Sequence, residues 1–150
     1  MTPAIQAMRD WLRSCPLVAS AQEDGVAFRI SSLSADTEEY SISDMPGDPI
    51  LKRYFGGTVR LKNYVLASRA LYSPENTALQ ADNSGLWDEL TDWVEAQNAC
   101  RSFPQLGGGR TVRSVAVTSS GYILEADSTT CRAQLQLQLI YHQPKGALNP

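Results

Sequence analysis

The stretch Thr130-Cys-Arg-Ala-Gln-Leu-Gln-Leu-Gln-Leu-Ile-Tyr-His142 decides the fold of this chain. Ala133, Leu135, Leu137, Leu139 and Tyr141 alternate with Gln134, Gln136 and Gln138, the two-residue repeat of a strand with one buried face. Leu and Gln favour helix by intrinsic propensity, but a helix would scatter these leucines around its circumference. The period therefore predicts a strand, and the apolar face of that strand requires a second layer.

Two helices are expected to supply it. Thr2 as N-cap and Pro3 at the first helical position open an amphipathic helix with Ile5, Met8, Trp11 and Leu12 on one face, ending at Cys15-Pro16. A second helix, capped by Asn83 or Ser84, places Leu86, Leu90, Trp93, Val94 and Gln97 along one stripe. Asp88, Asp92 and Glu95 form another stripe. It reads as a solvated acidic face, or else one that meets a basic partner, because a helical row lacks the convergent oxygens that calcium or magnesium prefers.

Short strands are expected at 26–30 and 39–43, the second broken by the prolines and glycine of 44–49. Residues 50–55 and 58–68 spell a hairpin around a Gly56-Gly57 turn, its second arm continuing to Tyr72. Residues 111–118, 121–126 and the Leu/Gln strand then read as a three-stranded antiparallel meander joined at Ser119-Ser120 and at 127–129. The expectation is a single α+β domain over 1–150, a mostly antiparallel sheet with two amphipathic helices on one face. It is expected to be ordered over 1–142 and loose over 143–150.

A chain of 150 residues can bury roughly 70% of its unfolded surface without staples. Its 43% hydrophobic and 19% charged content is that of an ordinary globular domain. A net charge of −3 and a pI near 5.1 argue against standing affinity for nucleic acid. Cys15, Cys100 and Cys131 form an odd set without C-x-x-C spacing, beside a single histidine, so neither a disulfide framework nor a metal site is expected. The N-terminal residues lack the charged start and apolar core of a secretory signal, and no run is long enough to span a membrane. Synthesis and assembly in a cytosol are the expectation.

No reactive constellation emerges. His142, the one candidate base, falls at the end of the last strand without a nucleophile near it in sequence. Ser119-Ser120-Gly121 does not match a nucleophile elbow. Gly107-Gly108-Gly109 is not followed by Lys-Ser/Thr and opens no predicted helix, so it reads as a loop rather than a phosphate cradle. The carboxylate pairs Glu38 with Glu39 and Glu125 with Asp127 have no apolar pocket in sequence to separate their pKa values. No enzyme activity and no cofactor are expected.

Several stretches together carry a family resemblance. They are Ser14-Cys15-Pro16-Leu17 after the first helix, Tyr40-Ser-Ile-Ser43 running into Asp48-Pro49-Ile50 and Lys52-Arg53-Tyr54, and Val65-Leu-Ala-Ser-Arg69. To these are added Asn83-Ser-Gly85 leading to Asp92-Trp93-Val94-Glu95, and Val117-Thr-Ser-Ser-Gly-Tyr122 before the Gln-rich strand. Over about 5–141 the chain resembles the small minor capsid proteins of long-tailed phages and prophages of Gram-positive bacteria, which look like tail terminators, also called tail completion proteins. The resemblance implies a virion protein of the head–tail junction. Such a subunit forms a homo-oligomeric ring, commonly a hexamer, that ends growth of the major tail tube protein and meets the head connector protein while DNA passes through. An adaptor or stopper on the head side is the alternative, and a small ligand-binding domain a more distant one. The family brings no catalytic residues. Candidate contacts with the next subunit or the tube are Lys52, Arg53, Tyr54, Arg60 and Lys62 on the Gly-Gly hairpin. Gln134, Gln136 and Gln138 are added to these as a row facing solvent or an interface, in preference to a channel lining.

Overall fold

The Leu/Gln stretch is a strand, and among the described residues the most extensive strand pairing is built on it. The computed structural model describes residues 3–16, 18–19, 28–30, 39–47, 49–71, 77–126 and 130–145. Its elements are α1 (Ala4–Leu12), β1 (Phe28–Ile30), β2 (Glu39–Met45), β3 (Ile50–Tyr54), β4 (Gly57–Leu71), α2 (Thr77–Cys100), β5 (Thr111–Ala126) and β6 (Thr130–Pro144). The six strands form one sheet in the order β1-β2-β4-β6-β5, with β3 also paired to β4. Among the described strands only β1 runs parallel to its neighbour, so this is an α+β fold on a mostly antiparallel sheet.

Register assigns the faces, because residues directly opposed across a ladder point the same way. Tyr64, Leu66 and Ser68 of β4 lie opposite Leu137, Leu135 and Ala133 of β6, and Ile42 lies opposite Leu66. All of these are buried, and both helices cover this face. Met8, Trp11 and Leu12 of α1 and Trp87, Leu90 and Val94 of α2 join the same core as Leu135, Leu137 and Leu139. Each fully buried leucine contributes about 1.5–3 kcal/mol relative to exposure. α1 packs on β1 and β2 and α2 on β5. Between them the Trp11 and Trp93 rings meet at 4.9 Å, and the Trp11 indole N–H donates to the Ser102 carbonyl at 2.8 Å.

Several local expectations are corrected. Pro3 is the N-cap of α1 and not its first helical residue; Thr2 lies outside the described residues. α1 stops at Leu12, and Pro16 opens a further helical turn in which the Ala19 N–H reaches the Cys15 carbonyl at 2.9 Å. α2 begins at Thr77, so Asn83 and Ser84 are internal to it. At its other end the Ser102 N–H bonds to the Gln97 carbonyl and the Arg101 N–H to that of Asn98, with Arg101 at φ 58 in the left-handed position that usually holds glycine.

The predicted meander has two strands and not three. β5 runs unbroken through Ser119-Ser120-Gly121, paired with β6 from Cys131 to His142, and the surplus residues are absorbed as four register shifts, two of them at Ser119. The outer edge of β5 is guarded from within: the Val115 N–H donates to the Asn98 side chain of α2 at 3.1 Å, which caps one edge donor that would otherwise invite another strand. β6 continues beyond His142 to Pro144, with Gln143 buried opposite Thr58.

Candidate functional site

The β3–β4 hairpin and the corner that leads into it carry most of the residues that the sequence nominates. After β2 the chain turns at Pro46 and Gly47 and is stitched to β4 on both sides of the turn. The Asn63 amide donates to the Pro46 carbonyl at 3.1 Å, and the Leu61 N–H donates to the Pro49 carbonyl at 3.1 Å. A Cβ on Gly47 would collide with the Asn63 amide, which explains a glycine there.

β3 then pairs with the start of β4, with a register shift between Ile50 and Lys52. Leu51, Lys52, Arg53 and Tyr54 are all exposed. The turn itself is Phe55-Gly56, one residue earlier than Gly56-Gly57, since Gly57 already pairs with Tyr54. This shift places Phe55 at the tip with 94% of its surface exposed, and Leu51 and Tyr54 on the same hairpin are 49% and 41% exposed. The end of β6 closes on the same tip. The Lys145 N–H bonds to the Gly56 carbonyl at 3.0 Å, its ammonium lies 5.3 Å from the Phe55 ring centre, and His142 stacks on Tyr54 at 5.4 Å. His142 therefore packs as part of the hairpin clamp.

Arg60 and Lys62 lie opposite Tyr141 and Leu139, on the helix-covered face but where its cover runs out: Lys62 is exposed and Arg60 half-buried. The Arg60 guanidinium donates to the Thr58 hydroxyl at 3.0 Å. Together with Asp44, Met45, Gly47, Pro49, Leu61, Asn63 and Tyr141 they line a cleft of about 250 Å³. Beside it Arg110, held by the Leu106 and Gly107 carbonyls, sits 6.0 Å over the Tyr141 ring. All three glycines of 107–109 are left-handed, with φ of 73, 63 and 74, and the tight turn they make brings Arg110 back onto the Leu106 and Gly107 carbonyls.

Tyr64 is fully buried and its hydroxyl has no hydrogen-bond partner among the described residues. Burial first, then the charges of Asp44 and Tyr141, hold its phenol protonated well above the ordinary range, with Arg110 opposing. The sign follows. Below about pH 10, the ordinary phenol value, the group is protonated in both states; above it the unfolded chain releases the proton while the folded chain keeps it, so stability falls as pH rises. Tyr64→Phe is expected to remove that alkaline loss and to stabilise the protein by about 1 kcal/mol at neutral pH, because an unmade buried hydrogen bond is a cost. Denaturant titrations at pH 7 and pH 11 measure both effects, and a clear loss at pH 7 would show that the hydroxyl is bonded.

Gln134, Gln136 and Gln138 sit elsewhere. They form the middle row of the opposite sheet face, half-buried, opposite Ala67, Val65 and Asn63 on β4. The structure thus gathers Lys52, Arg53, Tyr54, Arg60 and Lys62 at one end of the sheet and sets the glutamine row across the sheet from Arg60 and Lys62.

No family model matches this chain, and no curated protein matches it. What the geometry offers is therefore read from its own residues. Phe55, Lys145, Asp44 and Tyr141 belong to the hairpin end and are absent from the residues nominated by sequence. A phenylalanine beside Gly-Gly was the one available signal, since a turn is an unfavourable place to strand an aromatic ring. Among the described residues no group of three or more His, Cys, Asp or Glu is placed to hold a metal, and no helix is long and apolar enough to cross a membrane.

Proposed function

We propose that the protein is a structural virion subunit, a tail terminator that caps the tail tube as a homo-oligomeric ring, commonly a hexamer in proteins of this kind, and joins it to the head connector. The observation that carries this reading is the hairpin tip. A Phe ring that is 94% exposed, among Leu51, Tyr54 and the cations Lys52, Arg53 and Lys145, has the composition of an interface anchor with a charged rim. The family resemblance supplies the kind of partner. The net charge of −3 per copy suits a ring through which DNA slides without phosphate contacts.

The test is electron microscopy of phage assembled without this protein. Overlong tail tubes without heads support a terminator, whereas tails of normal length beside heads that lose DNA assign an adaptor or stopper on the head side. Intact, infectious particles of normal dimensions reject both. The cleft beside Arg60 and Lys62 favours a second reading, a small ligand-binding domain, but at about 250 Å³ it is smaller than the usual range of roughly 300–1,000 Å³.

A further inference from the structure

Charge in this chain is sorted by element, and the sheet order sets the two signs apart. From Ile50 to Pro74 the chain has Lys52, Arg53, Arg60, Lys62 and Arg69 and no acidic residue; from Thr77 to Cys100 it has Asp82, Asp88, Glu89, Asp92 and Glu95 and no basic one. β3 lies against one edge of β4, whereas β6 and then β5 extend from the other edge, with α2 packed on β5. The basic hairpin and the acidic helix therefore lie on opposite sides of the β4–β6 pair of one subunit.

We propose that the β3–β4 hairpin of each copy docks on the outward face of α2 in the next copy. Lys52 and Arg53 meet Asp88, Glu89, Asp92 and Glu95, and Phe55 supplies the apolar anchor. This deepens the ring reading above and rests on it. All four carboxylates are exposed while Trp87, Leu90 and Val94 turn inward, so the acidic face points away from the subunit's own sheet. Two different surfaces on opposite sides make the contact head-to-tail, which closes into a ring when the rotation per step divides a full turn. Opposite charges across the junction also fix which way round the copies dock.

Light scattering of purified protein tests this, with two reversals made separately and together. The wild type is expected to exceed two copies. Lys52→Glu/Arg53→Glu and Asp88→Lys/Asp92→Lys are each expected to weaken association roughly 100-fold through like-charge juxtaposition. Mixed in equal amounts they should recover the wild-type size as alternating copies, because both junctions are then complementary, and the fourfold variant should recover it alone. Thermal melts of each variant report on folding. Independently of any variant, zero-length amine–carboxyl cross-linking of mixed light and ¹⁵N-labelled wild-type copies should join Lys52 to Asp88 or Asp92 between copies.

A wild-type ring that is indifferent to both reversals, or cross-linked only elsewhere, overturns this interface and leaves the ring standing. A wild type that stays at one or two copies at every concentration overturns the interface and the ring together.

Discussion

Trp11→Ala is expected to destabilise the protein by about 3–5 kcal/mol, the range for truncating a buried tryptophan. A domain of this kind has only about 5–15 kcal/mol in total, and at about 2–4 °C per kcal/mol the melting temperature should fall by roughly 6–20 °C. The loss is large because one side chain closes two gaps. Trp11 joins α1 to α2 through Trp93 at 4.9 Å, and its indole N–H holds the segment after α2 through the Ser102 carbonyl at 2.8 Å. Trp11→Phe keeps a ring and loses the donor, so it should recover more than half of the deficit. A calorimetric loss for the alanine variant below about 1 kcal/mol would place α1 outside the cooperative core.

The hydrophobic layer was legible because period is a strong signal. The alternation of Leu135, Leu137 and Leu139 with glutamines fixes both the strand and its buried face, and the helical spacing of Met8, Trp11 and Leu12 fixes the face of α1 that covers it. Local punctuation was less reliable wherever a long partner overrode it. Ser119-Ser120-Gly121 has turn composition, yet β6 offers fifteen residues of unbroken backbone to pair with, and bulging β5 keeps more hydrogen bonds than turning it. Asn83, Ser84 and Gly85 are poor helix formers, but they lie inside a 24-residue helix whose later turns bury Trp87, Leu90 and Val94, and packing outweighs propensity. For the site, charge was legible and exposure was not. Lys52, Arg53, Arg60 and Lys62 stand out in sequence, whereas the exposure of Phe55 depends on a one-residue shift in the turn. The cleft contacts of Tyr141 and Asp44 depend on where the helices stop covering the sheet.

That one-residue shift yields the sharpest expectation about the site, because it separates two adjacent glycines that sequence treats as equivalent. Gly57→Ala is expected to cost about 2–5 kcal/mol, from strain at φ 150 and from overpacking. Its Cβ would overlap the Gln143 carbonyl oxygen and lie 2.9 Å from the Pro144 Cα and 3.0 Å from the His142 Nε2. Those neighbours are mostly backbone and cannot give way singly, so the β4–β6 ladder must open at this end or the hairpin must swing. Gly56→Ala meets only the Tyr54 ring, at 3.6 and 3.9 Å, which is ordinary contact, and should stay within about 0.5 kcal/mol of wild type. The damage at Gly57 should remain local, since the helix-covered core does not touch it. Amide exchange is expected to quicken across 53–60 and 141–145 while Leu135 and Leu137 stay protected, and self-association should weaken with the hairpin displaced. Equal effects from the two substitutions would mean that the turn lies at Gly56-Gly57 after all, with Phe55 returned to the strand and the anchor at the tip lost.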